Sequence, residues 1–325
     1  MSVVSTFIDL FAGIGGFRIA AEGLGLRCAF SSEIDDNAAS TYESNFGHRP
    51  SGDITKIEAK DIPPHDLICA GFPCQAFSIA GKKLGFLDEA KGTLFFDVAR
   101  IAEHHRPAML LLENVRNFAA HDDGRTLATV KDVLDGIGYD VHHKVLSSSG
   151  FGVPTSRHRI YIACFRKDLD VSAFDFPRPA GRFVSLRDIL LPDDQTDAYV
   201  VSRDDYEFRY DNPDAIEGLF VAYQEPIRIG EIRGKGEHQG NRIYSADGHA
   251  ITLSSNSGGI FADTAAYLVN GRVRKLAPRE CARVMGFPDS FVIPTKPRTA
   301  WAQFGNSVVV PVIKAILDRM LRAVQ

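Results

Sequence analysis

The sequence predicts an α/β protein with a doubly wound, mostly parallel sheet and a second, smaller, irregular β-rich domain. Over the first 165 residues, short apolar β-branched runs alternate with helical patterns, as in parallel sheets covered by helices on both faces. A Gly-rich turn at 12–16 follows the first apolar run and opens a helical pattern. Beyond Phe174 the alternation stops, and Pro, Gly, Ser and Asn become frequent.

The individual elements follow from local patterns. Strands are predicted where apolar runs are short, at 3–9, 27–32, 67–70, 108–112, 140–146 and 159–165. Helices are predicted where apolar residues recur on one face or acidic residues open the segment, at 17–24, 35–46, 93–105 and 311–324. In the smaller domain, two short strand-like pieces lie at 242–244 and 250–253.

Composition predicts a soluble, cytoplasmic protein without a membrane span. The chain has 325 residues, of which 45% are hydrophobic and 24% charged, and no continuous apolar run approaches the roughly 18 residues that a span needs. The N-terminus has no basic region ahead of an apolar stretch. Five scattered cysteines are typical of reduced thiols rather than a disulfide framework. No cluster has zinc-ligand spacing, so we expect no metal.

Charge is unevenly distributed along the chain. Residues 188–217 carry ten acidic and two basic residues, whereas residues 271–298 carry seven basic and two acidic residues. This asymmetry is suggestive of one basic face, as nucleic-acid-binding proteins have, but does not by itself indicate nucleic-acid binding. The alternative is a solvated surface on which the charges happen to segregate.

The Gly-rich turn is typical of a nucleoside site. Gly13, Gly15 and Gly16 let a ligand approach the backbone closely. Glu33 ends the second strand twenty residues after Gly13, where an acidic residue can accept ribose hydroxyls. Asp53 can take an adenine amino group. A tight strand–helix turn with a capping acid is the alternative.

Residues with side chains suited to catalysis lie at the ends of three other strands. Cys74 comes after an apolar strand on a Pro-bounded loop, and Glu113 ends the next strand. Arg157 and Arg159 precede a later strand and point to the same side of it. These residues offer a thiol nucleophile, a proton donor and two cations. An inert core cysteine, a salt-bridging carboxylate and surface arginines are the alternatives.

Together these segments resemble the DNA (cytosine-5) methyltransferases, over nearly the whole chain and in the family's order. The matching motifs are the turn Phe11–Gly16, the loop at 71–78, the acidic motif at 113–115, the Arg-x-Arg segment at 157–161, the segment at 274–288 and the turn at 305–308.

The resemblance implies a Rossmann-like, S-adenosylmethionine-dependent methyltransferase. Residues 1–187 and 298–325 would form the catalytic and cofactor-binding domain, and 188–297 the target-recognition domain. Cys74 would add to cytosine C6, Glu113 would protonate N3, and Arg159 and Arg157 would support the base. The cofactor would become S-adenosylhomocysteine, with no metal. Its site would comprise Phe11, Gly13, Gly15, Gly16, Glu33, Ile34, Asp53, Ile54, Pro73, Asn306 and Ser307.

The smaller domain resembles that of the HhaI type of this family, which methylates the inner cytosine of GCGC. Residues expected to contact DNA are Gln75, Lys82, Lys83, Gln239, Arg242, Thr252 and Ser254. The substrate would be double-stranded DNA, with the target base flipped out. A restriction endonuclease would be a genetic rather than physical partner, and the enzyme would be a monomer. A tRNA methyltransferase and a catalytically silent DNA-binding regulator are the alternatives.

Two positions depart from the family's usual pattern. Thr155 stands where members commonly have Gln, two residues before the first arginine of the Arg-x-Arg pair. Ile34 stands where many place an aromatic residue against the adenine. We expect the first to change contacts behind the catalytic loop and the second to lower cofactor affinity.

Overall fold

A computed structural model describes residues 4–73, 94–171, 174–179, 183–209, 225–235, 238–254, 258–294 and 296–324. The chain divides into two compact units. Unit 1 consists of Met1–Leu146, His158–Pro177 and Val312–Gln325, and unit 2 of Ser147–Arg157 and Arg178–Pro311. The division into catalytic and target-recognition domains, with boundaries near 187 and 298, stays a prediction.

The sheet of unit 1 has six strands in the order β2-β1-β3-β4-β6-β5. The strands are β1 (Thr6–Leu10), β2 (Arg27–Ser32), β3 (Leu67–Gly71), β4 (Met109–Val115), β5 (Tyr139–Ser147) and β6 (His158–Arg166). β1 pairs in parallel with β2 and β3, and β3 pairs in parallel with β4. β6 runs antiparallel to β4. The predicted fold class is confirmed, with each strand within three residues of its predicted ends.

Helices connect or follow these strands, and those at 94–105 and 125–136 pack their apolar faces in the core of the sheet. They are α1 (Gly16–Glu22), α2 (Asp36–Phe46), α3 (Leu94–His105) and α4 (Arg125–Gly136), and α7 (Val310–Ala323) lies at the end of the chain. Asp35 caps α2, since its side chain accepts from the Ala38 amide at 2.7 Å. α4 was not predicted from the sequence, although its buried residues Leu127, Val130 and Leu134 recur at helical spacing and join the main core.

Unit 2 contains a five-stranded sheet in the order β11-β10-β9-β8-β7. The strands are β7 (Tyr206–Phe208), β8 (Arg228–Ile232), β9 (Arg242–Ser245), β10 (Ala266–Val269) and β11 (Arg272–Arg274), followed by helices α5 (Pro278–Val284) and α6 (Pro297–Asn306). The strand predicted at 250–253 is wrong: there only Ala250 forms an isolated bridge, with Thr155. Its backbone groups are used elsewhere, since the Ile251 amide donates to the Tyr267 hydroxyl at 3.0 Å.

One buried ion pair fixes β11 to α5. Arg274 and Glu280 are fully buried, and two guanidinium nitrogens donate to the two carboxylate oxygens at 2.8 Å each. The same oxygens accept from the amides of Leu191 at 2.9 Å and Ala277 at 2.7 Å. Because each of the two Glu280 oxygens accepts two hydrogen bonds, the buried negative charge of Glu280 is compensated within unit 2.

The segment Pro297–Ala323 is long and apolar enough to cross a membrane by length and composition alone. It consists of α6 and α7, which are separated at residues 307–309. Two thirds of its most apolar window is buried inside the protein. The residues Val312, Ile313, Ile316, Leu317 and Met320 of α7 are all buried, which is the pattern of a helix packed in a protein core.

Candidate active site

The Gly-rich turn between β1 and α1 has an unusual backbone. Phe11, Gly13 and Gly15 all have positive φ, at 55°, 55° and 87°. A side chain at Gly15 would place its Cβ 2.2 Å from the Phe46 ring, so α2 packs directly on the turn. A Cβ at Gly13 would meet nothing within 4 Å. The turn therefore presents bare backbone on the side where Gly13 lies open.

Glu33 fixes this turn from the end of β2. One carboxylate oxygen accepts from the Gly13 amide at 2.7 Å, and the other accepts from the Asp35 amide at 2.7 Å. Each oxygen keeps a second lone pair that can accept a hydroxyl. The neighbouring Ile34 side chain is 75% exposed. A carboxylate with accepting capacity left, next to an exposed apolar side chain and an open glycine, suits the chemistry of an adenosyl group. That Glu33 accepts the ribose hydroxyls stays a prediction.

Asp53 and Ile54 differ in what they present to a ligand. The Asp53 carboxylate accepts from the Thr55 hydroxyl at 2.7 Å and from the Thr55 amide at 3.1 Å. These hydrogen bonds hold the pKa of Asp53 below its usual range, so it stays an acceptor at neutral pH. The Ile54 side chain is buried in the core of unit 1. Only the main chain of Ile54 can therefore contact a cofactor.

A polar cluster behind the turn was not selected from the sequence. Arg18 of α1 donates to Glu22 at 2.7 Å, to the Tyr42 hydroxyl at 3.2 Å and to the His48 ring at 3.0 Å. Its guanidinium also lies over the Phe46 ring, 4.3 Å from the centroid. The neighbouring Asp9 is fully buried, and this burial raises the pKa of its carboxyl well above the usual value. The cluster ties α1 to α2, the two helices between which the Gly-rich turn is packed.

Glu113 and Arg159 form an ion pair on adjacent strands. The Arg159 Nε lies 3.0 Å from the Glu113 carboxylate, and both side chains are largely buried, with 15% and 12% exposed. Glu113 is opposite Tyr161, and Val115 is opposite Arg159, so the pair is a diagonal cross-strand contact. The structure thus brings together the predicted acid and the second arginine of the Arg-x-Arg segment.

Asn114 attaches the end of β3 to β4. Its side-chain amide, which is buried, donates to the Phe72 carbonyl at 2.9 Å. The Phe72 ring packs against Phe95 and Phe118, with centroids 5.7 and 5.6 Å away. Pro73 is exposed, and Cys74 is the next residue. Asn114 was not assigned a role from the sequence, although its position directly after Glu113 at a strand end was a usable signal of a role in the site.

Four predicted residues lie outside the described residues. They are Cys74, Gln75, Lys82 and Lys83. Their roles stay predictions.

Arg157 does not share the environment of Arg159. It is buried, and its guanidinium donates to the carbonyls of Leu253 at 3.1 Å, Gly305 at 2.9 Å and Ser307 at 3.1 Å. All three acceptors belong to unit 2. Of the predicted cofactor residues in this unit, Asn306 is exposed and Ser307 is buried. The expectation that Arg157 supports the base pocket stays a prediction, and its observed contacts are with main-chain carbonyls.

The predicted recognition residues of unit 2 lie on two segments, 239–242 and 252–254. Gln239 is exposed on a short 3₁₀ turn, and a Cβ at the adjacent Gly240 would lie 2.0 Å from the Gly258 carbonyl oxygen. The buried Asn241 donates to the Lys235 carbonyl at 2.8 Å and accepts from the Ile260 amide at 3.2 Å. The turn that presents Gln239 is thus held on both sides.

Arg242, Thr252 and Ser254 are all half-buried. Thr252 and Ser254 alternate with buried neighbours along the chain. Arg242 begins β9, directly after the turn that carries Gln239. This alternation leaves Thr252 and Ser254 partly accessible, while Ile251 and Leu253 pack inward.

Most basic residues of 271–298 are engaged within unit 2. Arg272 binds Asp193 at 2.8 Å and Asp197 at 2.6 Å, both from the acidic segment. Arg283 pairs with Asp289, and Arg279 donates to the Phe291 carbonyl. Arg274 is neutralised by Glu280, and Lys275 lies 5.0 Å from the centroid of the Trp301 ring. The charge asymmetry along the sequence is therefore partly cancelled in space.

Comparison with known proteins gives the family. The family described as C-5 cytosine-specific DNA methylase matches residues 5–322. This chain belongs to that family. It is 50% identical over 310 residues to the Type II methyltransferase M.HhaI of Haemophilus parahaemolyticus, covering 95% of this chain and 92% of that protein. It is 43% identical to M.HpaII of Haemophilus parainfluenzae, covering 97% and 89%.

Solved structures support the fold. The S. pombe Dnmt2 methyltransferase superimposes with a TM-score of 0.72, covering 98% of both chains at 18% identity. Family membership confirms the resemblance inferred from the sequence. It makes the chain a DNA cytosine-C5 methyltransferase that uses S-adenosylmethionine. The relatives identified at 39–50% identity are named Type II methyltransferases, which disfavours the tRNA alternative.

Proposed function

We propose that this enzyme methylates C5 of the inner cytosine of GCGC, or of a related GC-rich site, in double-stranded DNA. The observation that carries the proposal is the Glu113–Arg159 pair at 3.0 Å. Glu113 is followed on the same strand by Asn114, which donates to the carbonyl of Phe72, two residues before Cys74. The choice of site rests on the likeness of the recognition segments to those of the HhaI type and on the 50% identity to M.HhaI.

The proposed chemistry uses three side chains. The Cys74 thiolate adds to C6, forming an S–C6 bond and turning C5 into a nucleophile. Glu113 holds a proton at N3, so negative charge does not accumulate on the ring. Arg159 orients the Glu113 carboxyl and contributes positive charge next to the base. Once C5 carries the methyl group, its proton passes to water, the C5=C6 double bond re-forms, and the S–C6 bond breaks to release Cys74.

S-adenosylmethionine, when bound, supplies an electrophilic methyl group for C5. Phe11 contacts the adenine, which Ile34 also covers. Glu33 accepts the ribose hydroxyls, and Asp53 accepts from the adenine amino group, with Ile54 contributing its main chain. The remaining contacts are assigned to Gly13, Gly15, Gly16, Pro73, Asn306 and Ser307, the last two at the methionine end. The product is S-adenosylhomocysteine, and the proposed reaction uses no metal.

A cytosine inside a duplex is out of reach of a side-chain nucleophile, so the base is flipped out. Gln239 fills the space that the base leaves, and Arg242 reads a guanine through two hydrogen bonds. Thr252, Ser254, Gln75, Lys82 and Lys83 complete the DNA contacts. The enzyme acts as a cytoplasmic monomer, and a restriction endonuclease is a genetic partner only.

The first test is bisulfite sequencing of unmethylated plasmid after incubation with the purified enzyme and S-adenosylmethionine. Protected cytosines are expected at the inner position of one short GC-rich site, with none after incubation with Cys74→Ser. Protection at an unrelated motif would refute the choice of site but not the activity. If the folded wild-type protein binds DNA and cofactor yet protects no cytosine, the silent-regulator alternative replaces the proposal.

A further inference from the structure

Arg157 connects two segments of unit 2 that are far apart in sequence. One guanidinium nitrogen, Nη1, donates to the carbonyl of Leu253 at 3.1 Å. The other, Nη2, donates to the carbonyls of Gly305 at 2.9 Å and Ser307 at 3.1 Å. The side chain is buried, with 4% of the residue exposed. A planar fork of this kind holds its acceptors in fixed relative positions.

The first of these segments, residues 250–254, is the proposed recognition segment. Leu253 lies between Thr252 and Ser254, which are the residues assigned to DNA. The backbone just before Arg157 is attached to the same segment, because the Ala250 amide donates to the Pro154 carbonyl at 2.7 Å.

A second contact reinforces that attachment. The Ser156 hydroxyl lies 3.0 Å from Nδ1 of His249. Residues 249–253 are therefore attached to residues 154–157 of the same unit by main-chain and side-chain contacts, of which the guanidinium contact is one.

The second segment is the turn that ends α6. Gly305 and Ser307 flank Asn306, which is exposed at the C-terminal end of the helix. Their carbonyls are among the last of the helix, which lack intrahelical partners and need donors from elsewhere. Arg157 supplies two of those hydrogen bonds, so it holds the backbone on both sides of Asn306.

We infer that Arg157 is a positioning residue that links the recognition segment to the turn bearing Asn306 and Ser307. The inference rests on the proposed function, which assigns DNA to the first segment and the methionine end of the cofactor to the second. Because one rigid guanidinium holds both backbones, ordering one segment favours the bound position of the other. Cofactor binding then strengthens DNA binding, and by linkage DNA strengthens cofactor binding by the same factor.

The test measures this coupling at equilibrium, without turnover. The dissociation constant of a fluorescent duplex carrying the site found by bisulfite sequencing is measured with and without S-adenosylhomocysteine. For the wild-type enzyme we expect at least about fivefold tighter DNA binding with the product present. Arg157→Met and Arg157→Lys should each reduce that factor to below about twofold, since a lysine is a point donor that cannot span both segments.

The matched control is Arg279→Met. Arg279 is also an arginine of unit 2 that donates to main-chain carbonyls, those of Pro288 and Phe291. It has no contact with 250–254 or 305–307 among those described, so this variant should keep the wild-type coupling. A folded Arg157 variant that keeps the wild-type factor would overturn the inference, as would loss of coupling in Arg279→Met.

A second readout needs no variant. Hydrogen exchange on the wild-type chain is expected to slow at 250–254 when S-adenosylhomocysteine binds alone, and unchanged exchange there refutes the link. Failure of the inference is distinguishable from failure of the proposed function. In the first case the wild-type enzyme still protects cytosines from bisulfite, whereas in the second it protects none.

Discussion

Asn114 offers a sharp test of how the strand ends position the nucleophile. Asn114→Ala removes the donor to the Phe72 carbonyl, which lies in a buried residue two positions before Cys74. Losing a hydrogen bond and leaving a buried carbonyl unpaired costs about 1–3 kcal/mol. Since misplacing a reacting group by about 1 Å can lower a rate about 100-fold, we expect kcat to fall by about that factor. The KM for S-adenosylmethionine should change less than threefold.

The assay is transfer of a tritiated methyl group to the target duplex, with unfolding in urea measured in parallel. Thr126→Ala is the matched control, because it removes a buried hydroxyl that lies 2.7 Å from the His121 ring. It should lower the free energy of unfolding by a similar amount and leave kcat within threefold of wild type. If folded Asn114→Ala keeps kcat within threefold, or if Thr126→Ala lowers kcat as much, Asn114 contributes to stability alone.

Two further predictions concern stability. Glu280→Gln leaves the Arg274 guanidinium buried without its counter-charge and should lower the free energy of unfolding by about 3–5 kcal/mol. The control Glu207→Gln, at an exposed position, should lower it by less than about 1 kcal/mol. Burial lowers the pKa of His65 to about 4, so folding favours the neutral ring. The stability that depends on a neutral His65 is fully present above pH 6.5, the pKa of the unfolded chain, and is lost as the pH falls through about 4, the pKa of the folded protein. Urea titrations should therefore show His65→Asn losing about 2 kcal/mol less stability than wild type between pH 7 and 5. Equal losses would exclude this role for His65.

The sequence predicted the strands of unit 1 well because buried parallel strands are short apolar runs with clear ends. It predicted the segment 250–253 as a strand for the same reason, and there it was wrong. An alternation of Ala250, Ile251, Thr252 and Leu253 fits a strand, but the hydrogen bonds of this segment go to Pro154, Tyr267 and Arg157. The local pattern of residue types does not determine which hydrogen-bond partner a backbone group has in the folded protein.

The residues proposed to carry chemistry were easier to predict than the residues that position them. Glu113 and Arg159 stand at strand ends in recognisable motifs, and the structure pairs them. Asn114 and Asn241 act through buried amides that bind main-chain carbonyls. The position of Asn114 directly after Glu113 was a usable signal, but the residue type alone does not show that an amide will be buried, since asparagine usually lies in a solvated turn.

The charge pattern along the chain was a poor guide to the distribution of charge in space, for a physical reason. A count along the sequence treats the acidic run and the basic run as separate fields, although Arg272 binds Asp193 and Asp197 at 2.6–2.8 Å. Opposite charges in contact cancel beyond a few ångströms, and salt removes what remains over about 10 Å. Sequence selectivity must therefore come from short-range contacts to base edges, which is the role proposed for Gln239 and Arg242. The fixed backbone of their turn, with Gly240 against Gly258, suits that role better than a diffuse basic surface does.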